Sequence, residues 1–390
     1  MQTKFPLGWY DDFKAKHPEL KDVSVVVPDW GESDLKKRGL EKERCIVGTT
    51  LGHAGVVTEL PLDGAVEGDG KKKKSFWVVY DPIFSLRAGP TQYTGPERLR
   101  PPPCQVTDIP GCDAVVISHN HYDHLDLATI EAIFKKWPKA RYFVPLGNKN
   151  WVRSLGIPED RVHELDWWEH REYSLEDFGH TTLETASEDV LLRFTSVPAQ
   201  HNSGRGALDQ GTTLWCGWVI EQLLVSKDEA ETSKMRRKGV IYHAGDTGYR
   251  RTANSDAVCP IFKDIGQKLG PFDLSFVPIW RGGTLGFISH LGLRLSHNGI
   301  PSALHASPVD AIDIHKDVLS RNSVAVHFGT FIGSENESLE AVMEFTEGRE
   351  NRGVLGLDEQ TADGLGRAGI VDIGGSVAVE FEVHDAPEQR

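Results

Sequence analysis

The stretch His119-Asn120-His121-Tyr122-Asp123-His124 places three imidazoles and one carboxylate next to each other in the chain. A helix would put residues 121 and 124 on one face and turn residue 119 away, whereas a strand would align 119 with 121 but not with 124. A loop that follows a strand can direct all four side chains inward. Neutral imidazoles and carboxylates are the ligands that zinc prefers when thiolates are absent. The stretch therefore predicts a metal site in a loop, and a histidine-rich surface loop is the alternative.

Short apolar runs recur just before polar residues along the chain. The runs at 113–118, 194–198, 239–244 and 324–326 precede, in that order, His119, His201, Asp246 and His327. Each run is typical of a buried strand that delivers one polar residue from its carboxyl end into a loop. A single histidine is more often structural than a metal ligand, so each downstream residue is weak evidence alone. Together they supply the further imidazole and carboxylate groups that a metal site needs.

Helical segments alternate with these strands. Asp126 is placed to cap a helix that Pro138 ends, and Ser307 with Pro308 is typical of another helix start. The apolar positions with helical spacing in the first of them are Leu127, Ile130, Phe134 and Trp137. This order predicts an α/β fold, an αββα sandwich in which two packed mixed β-sheets are flanked by helices. We expect one domain over residues 45–383, an N-terminal extension of residues 1–44 packed on it, and a tail at 384–390.

Composition restricts the partners and the compartment. With a net charge of −14, broad attraction to nucleic acid is not expected, and no nucleic-acid partner is predicted. The 5 cysteines form no Cys-x-x-Cys pair, which favours a reducing compartment over a disulfide framework. No stretch approaches the roughly 20 apolar residues of a spanning helix. We expect an intracellular protein, cytoplasmic or peripheral on an internal membrane; a removed mitochondrial presequence stays open, and no oligomeric state is predicted.

The histidine stretch and its downstream partners closely resemble the metallo-β-lactamase superfamily. The resemblance implies that one zinc ion is bound by His119, His121 and His201. It implies Asp123, His124 and His327 for a second zinc ion, and Asp246 as the residue that bridges both. Two such metals can activate a shared hydroxide at neutral pH and stabilise a leaving oxygen. The expected cofactor is therefore two Zn²⁺, although nitrogen and oxygen ligands also accept iron or manganese.

Further segments, in order over about residues 45–335, resemble the N-acyl-phosphatidylethanolamine-hydrolysing phospholipase D family. They include Thr50-Leu51-Gly52-His53-Ala54, Asp81-Pro82-Ile83-Phe84-Ser85, Tyr93-Thr94-Gly95-Pro96, Pro198-Ala199-Gln200-His201 and His327-Phe328-Gly329-Thr330-Phe331. The resemblance implies cleavage of the phosphodiester of N-acyl phosphatidylethanolamine into an N-acylethanolamine and phosphatidic acid. A hydroxide that bridges the two zinc ions would attack phosphorus in line. A phospholipid or a small molecule is thus the expected partner, with peripheral membrane contact left open.

Other residues receive more local roles. Catalytic roles are expected for Asp123 and Asp246, and for His305, which resembles a family histidine near the cleft. His305 is expected to protonate the leaving oxygen or bind phosphate, and a structural role is the alternative. Tyr122 is expected to border the site. The segment 280–301, which departs from the family's animal members, is interpreted as a lid, an acyl-chain wall or an ordered surface loop, with Trp280 and Phe287 as substrate contacts. His53 is interpreted as a residue that supports a ligand or packs the core.

Three other functions compete with a phosphodiesterase. A lactonase or amide (lactam) hydrolase of a small metabolite would use the same dinuclear site, because one fold hosts both chemistries. A flavodiiron-type redox enzyme needs a flavin domain that this sequence lacks. A binding protein with a vestigial site is disfavoured because all of the expected ligands are present. A long apolar groove above the metals would favour a lipid substrate, and a small closed polar pocket would favour a metabolite.

Overall fold

The computed structural model describes residues 7–9, 13–67, 72–182, 186–227, 235–252, 255–280, 293–295, 304–359 and 366–386. The helices within these ranges are α1 Phe13–Lys16, α2 Glu32–Arg38, α3 Leu127–Lys136, α4 Lys149–Arg153, α5 Ile261–Leu269, α6 Pro308–Asp317 and α7 Glu335–Asn351. The first nine strands are β1 Leu7–Trp9, β2 Cys45–Gly52, β3 Gly55–Glu67, β4 Lys72–Tyr80, β5 Ala114–Val116, β6 Arg141–Pro145, β7 Val162–Leu165, β8 His170–Ser174 and β9 His180–Thr182. The other nine are β10 Glu188–Val197, β11 Gly217–Ser226, β12 Met235–His243, β13 Leu274–Pro278, β14 Leu293–Leu295, β15 Asn322–Val326, β16 Arg367–Gly369, β17 Ser376–Glu380 and β18 Val383–Asp385.

Two mixed sheets contain almost all of these strands. One has the order β17-β2-β3-β4-β5-β6-β7, with β9 paired to β3, and the other has the order β16-β15-β13-β12-β11-β10-β8, with β18 paired to β12. In the first sheet β4 to β7 run parallel, and in the second β12, β13, β15 and β16 run parallel. Because parallel neighbours end on the same side, the loops after β12 and β15 emerge together.

The main core lies between the two sheets. Phe143 of β6 stacks on Phe194 of β10 with ring centroids 3.8 Å apart, and the indole of Trp218 donates to the carbonyl of Ile117 across the interface at 2.8 Å. A second apolar cluster packs α5, α6 and α7 on the outer face of one sheet, and a third packs α3 and α4 on the other. The layers are therefore helix, sheet, sheet, helix. This is the metallo-β-lactamase fold predicted from the sequence.

The predicted elements are found with small differences. Strands β5, β10, β12 and β15 cover the apolar runs, and Ser307 caps α6 by accepting from the Asp310 backbone N–H at 3.1 Å. Asp126 precedes α3, but its carboxylate bonds Ser85 at 2.9 Å instead of capping the helix. The sheet extends through Asp385, so the tail predicted to begin at residue 384 starts two residues too early.

The N-terminal extension contacts the sheets at several points. Val25 forms a parallel bridge with Ile373, and the Asp34 carboxylate accepts a hydrogen bond from the Ala378 backbone N–H at 2.8 Å. Strand β1 pairs antiparallel with β14. None of the helices described here is long and apolar enough to cross a membrane.

Candidate metal centre

Four loops bring the predicted ligands together. The histidine stretch follows β5, and the other three loops carry His201, Asp246 and His327 just beyond β10, β12 and β15. Each strand is buried, so the hydrophobic core fixes where its last residue points and the following polar side chain is delivered into one place. The structure thus gathers all seven predicted ligands at one end of the sandwich.

The first group consists of His119, His121 and His201. Their ligand atoms lie within 4.8 Å of one another. Nδ1 of His121 is 2.8 Å from Nε2 of His119 and 3.4 Å from Nε2 of His201. Three converging imidazole nitrogens can supply three of the ligands of one metal ion.

The second group contains Asp123, His124 and His327, and it also includes His53. Nε2 of His124 and of His327 lie 3.8 and 3.9 Å from Oδ2 of Asp123. The side chain of Asp123 is 28% exposed, whereas those of His124 and His327 are buried. Asp123 is therefore the group on this side that solvent can reach.

Asp246 joins the two groups. Its Oδ2 atom lies within 3.9 Å of five imidazole nitrogens, those of His327 (3.0 Å), His124 (3.3 Å), His201 (3.6 Å), His305 (3.6 Å) and His119 (3.9 Å). Its Oδ1 atom is buried and, among the described residues, has no hydrogen-bond partner. A buried carboxylate oxygen without a partner is costly unless a cation satisfies it. This position between the two groups fits a bridging ligand.

The protonation states of the candidate ligands favour the binding of metal cations. Burial lowers the pKa of His201 to about 4, and burial with neighbouring imidazoles holds the pKa of His119 well below its usual value, so both present neutral nitrogens. Burial alone would raise the pKa of Asp246, but His124 and His327 outweigh it and hold that pKa well below the usual range. Burial opposes a charged His124, yet Asp246 and Asp123 raise its pKa well above the usual value. A bound metal would displace that proton.

Polar groups that lie behind these ligands form hydrogen bonds with them and orient them. Asp81, at the end of β4, accepts from the Ser118 backbone N–H at 2.7 Å and lies 2.8 Å from Nδ1 of His124. The Ser118 hydroxyl lies 2.9 Å from Nδ1 of His119 and donates to Asp81. The carbonyl of Leu304 is 2.8 Å from Nδ1 of His201. Such partners fix the tautomer and ring orientation of ligating histidines.

Sequence reasoning missed two of these supporting residues. In the sequence Asp81 is only one residue of a family-like segment, yet in the structure it is fully buried and adopts a positive φ of 39°, which is rare for a residue other than glycine. Arg205 belongs to none of the sequence motifs. Its Nη1 donates to the carbonyls of Asn120 at 3.0 Å and Leu125 at 2.9 Å, which ties the loop after His201 to both ends of the histidine loop.

We expect Asp81→Asn to weaken zinc binding by about 10–100-fold, because the amide cannot accept from both Ser118 and His124 as the carboxylate does. Titration of metal-free protein with zinc against a chromophoric chelator measures this. Asp113→Asn is the matched control, since Asp113 also accepts from a backbone N–H (Trp77, 2.8 Å) and contacts a histidine (His180, 2.7 Å). It lies at the other end of β5. Equal zinc affinity in both variants would contradict the assigned role of Asp81.

Of the residues predicted to contact substrate, those that the structure describes lie at the rim of the candidate metal centre. His305 stacks between Trp280 and His327, with ring centroids 4.9 and 5.2 Å away, and its side chain is 23% exposed. The ring of Tyr122 lies 3.9 Å from the guanidinium carbon of Arg205. Phe287 lies outside the described residues. Substrate contact by these side chains stays a prediction.

Comparison with known proteins agrees with this geometry. The model of the beta-lactamase superfamily domain matches residues 76–328. N-acyl-phosphatidylethanolamine-hydrolyzing phospholipase D 1 of Caenorhabditis elegans is 33% identical over 323 residues, which cover 82% of this chain and 74% of the worm protein. The chain belongs to the N-acyl-phosphatidylethanolamine-hydrolysing phospholipase D family of the metallo-β-lactamase superfamily.

Further proteins are similar to parts of this chain. The mitochondrial N-acyl-phosphatidylethanolamine-hydrolyzing phospholipase D of Saccharomyces cerevisiae is 30% identical over 67% of this chain and 46% of the yeast protein. An uncharacterized protein of Mycobacterium tuberculosis is 36% identical over 65% of this chain and 54% of its own. A solved metallo hydrolase from Ignicoccus hospitalis has a TM-score of 0.46 at 16% identity, with 87% and 100% of the two chains covered. The family assignment rests on the sequence matches.

Proposed function

We propose that this protein is a two-zinc phosphodiesterase that hydrolyses N-acyl phosphatidylethanolamine to an N-acylethanolamine and phosphatidic acid. The observation that carries the hydrolytic part is the position of Asp246 Oδ2, within 3.9 Å of imidazoles from both ligand groups. The substrate is supported by similarity to the worm enzyme over most of this chain. Two zinc ions held here would supply Lewis-acid activation of water and of the phosphoryl oxygen.

The chain's own groups then complete the reaction. Asp123 is ionised, because His124 and His53 outweigh the effect of burial and hold its pKa well below the usual range. As the exposed carboxylate of its group, it accepts a hydrogen bond from the attacking water and orients it towards phosphorus. Asp246 is buried and holds the two ligand groups in a fixed position relative to each other.

His305 faces the leaving oxygen. Its Nδ1 atom lies 3.6 Å from Asp246 Oδ2 and forms no hydrogen bond within the described residues, so the ring proton can sit on Nε2, the nitrogen that we assign to substrate. Burial holds its pKa well below the usual value, so the imidazole is neutral and donates a hydrogen bond from one nitrogen only. Trp280 and His327 hold the ring by stacking on it. We assign His305 the hydrogen bond that stabilises the departing alkoxide of the N-acylethanolamine.

A substrate panel tests this proposal. Zinc-loaded protein is offered N-acyl phosphatidylethanolamine beside a set of lactones and lactams, each with and without a chelator. We expect chelator-sensitive release of phosphatidic acid and little opening of the rings. If the zinc form leaves the lipid intact and opens a lactone, the phosphodiesterase assignment fails and the small-metabolite hydrolase takes its place.

A lipid substrate requires contact with a membrane surface, and we assign it to two exposed apolar residues. Tyr93 is 93% exposed and Leu208 is 100% exposed. Gln92 and Arg205 line one cleft together with Tyr122 of the histidine loop. Tyr93 directly follows Gln92 in the chain, and Leu208 lies three residues beyond Arg205. Both apolar residues are therefore close in sequence to residues that line a cleft bordered by the histidine loop.

We expect Leu208→Asp to weaken binding to vesicles that contain N-acyl phosphatidylethanolamine by roughly tenfold or more, because burial of a leucine side chain contributes about 1.5–3 kcal/mol. Tyr93→Asp should act in the same direction. Co-sedimentation measures binding, and turnover of a short-chain soluble phosphodiester should stay unchanged. Val27→Asp is the control, since Val27 is 84% exposed but lines a different surface cleft with Asp29 and Gly374. Equal vesicle binding by all three variants would refute this contact surface.

A further inference from the structure

His53 occupies an unusual backbone position. It lies in the turn between β2 and β3, where its φ is +53°, in the left-handed region that favours glycine. The residue is nonetheless buried, with 5% of its surface exposed. A two-residue hairpin turn with a positive φ at its first position is ordinarily built with glycine there. A buried histidine in this place requires compensation from its surroundings.

The compensation comes from the metal centre. Nε2 of His53 lies 2.8 Å from Oδ2 of Asp123. The carbonyl of His53 accepts from the His327 backbone N–H at 2.8 Å, and its own N–H donates to the Thr330 hydroxyl at 2.7 Å. The centroid of its ring lies 4.0 Å from that of His327 and 5.1 Å from that of Phe331, which it meets edge-on. One residue thus links the histidine loop to the loop that carries His327.

Backbone strain is concentrated around the same group. The non-glycine residues with positive φ in the described part of the chain are Trp30, His53, Asp81, Trp168, Leu319 and His327. Of these, His53, Asp81 and His327 all touch the candidate metal ligands or are among them. Strained backbone that persists at one place indicates that the surrounding contacts determine it. Packing alone offers no reason for three such residues to meet here.

We propose that His53 is a positioning residue for the metal ion on the Asp123 side. Its imidazole donates from Nε2 to Oδ2 of Asp123, the oxygen that lies 3.8 and 3.9 Å from His124 and His327, and so fixes the orientation of this carboxylate beside them, while its main chain sets the position of His327. The inference rests on the proposed two-metal site. It adds a residue outside the seven ligands that controls one of the two ions and not the other.

The test compares His53→Gln with His53→Phe in the whole chain. Glutamine carries an amide N–H near the position of Nε2, whereas phenylalanine keeps a ring but cannot donate, and both have a side chain on the strained backbone. Metal-free protein is titrated with zinc against a chromophoric chelator, and the thermal midpoint of each metal-free variant is recorded. We expect native-like binding of two zinc ions by His53→Gln. For His53→Phe we expect one tight ion and a second bound about 10–100-fold more weakly, the usual effect of losing a hydrogen bond to a ligand.

Each outcome decides the inference. Two native-like zinc ions in His53→Phe would overturn it, as would loss of zinc in both variants together with a lowered metal-free midpoint, since that pattern indicates packing only. Selective loss of the second ion in His53→Phe, with equal midpoints, supports it. If native protein binds two zinc ions but leaves N-acyl phosphatidylethanolamine intact, the proposed function fails while the role of His53 stands. If native protein binds fewer than two, both fail.

Discussion

Replacement of Asp246 by alanine is expected to remove bound metal and hydrolysis together. The carboxylate contributes a buried anionic oxygen that lies close to imidazoles of both groups, at 3.0 Å from His327 and 3.6 Å from His201. Without it, the imidazoles around this position lose their shared anion, and Asp123 is the one carboxylate left among the seven predicted ligands to balance two dications. Because loss of a mere hydrogen bond to a ligand costs about 10–100-fold in activity, loss of the bridge should cost on the order of 10³-fold or more.

Metal analysis of the purified variant and its turnover of N-acyl phosphatidylethanolamine measure the two effects. Asp273→Asn is the matched control, because Asp273 is also a buried carboxylate, but it accepts from the Val240 backbone N–H at 2.8 Å and pairs with Arg321, in another part of the sheet. It should keep both ions. Two tightly bound ions in the Asp246 variant would contradict the bridging role.

Replacement of His305 by alanine is expected to lower kcat by about 10²–10³-fold, the usual contribution of one positioned hydrogen-bond donor to a developing oxyanion, with both metal ions retained. His305 is a member of a possible ligand group with His201 and Asp246, but its side chain is 23% exposed, whereas those of His119 and His201 are 1% exposed. Its role is thus towards substrate, and the effect should fall mainly on kcat.

The zinc content and the separate values of kcat and KM decide between substrate and metal roles. His384→Ala is the control. His384 lies in strand β18, its side chain is 47% exposed, and it contacts Arg321 and Glu382. Its kinetics should match those of the native protein. A His305 variant that loses one zinc ion would show that this residue is a ligand.

Much of the site was predictable because it is local or periodic. The histidine stretch contains four of the seven ligands within six positions, and the other three follow apolar runs that form strands. A buried strand and the polar residue at its end can both be recognised from the sequence. The layered arrangement followed from the alternation of strands and helices, and family resemblance assigned which ligand groups with which.

The supporting residues were not predictable in the same way. Asp81 lies 43 positions from His124, and His53 lies 70 positions from Asp123, so their contacts arise only when the strands pair. A single aspartate after a strand, or a histidine in a Gly-His-Ala-Gly turn, has no distinctive neighbours in sequence. The one available signal was a non-glycine residue at a tight turn, and a positive φ cannot be inferred from the residue type alone. Arg205 acts through backbone carbonyls, which carry no sequence signature.

Hydrolysis of N-acyl phosphatidylethanolamine in water enriched in oxygen-18 tests the central claim most directly. Attack of activated water on phosphorus predicts that the label appears in the phosphate of phosphatidic acid and that the N-acylethanolamine is unlabelled. The reaction should stop with chelator and resume with zinc. Label in the hydroxyl of the N-acylethanolamine, or in a released fatty acid, would contradict a phosphodiesterase that acts at phosphorus.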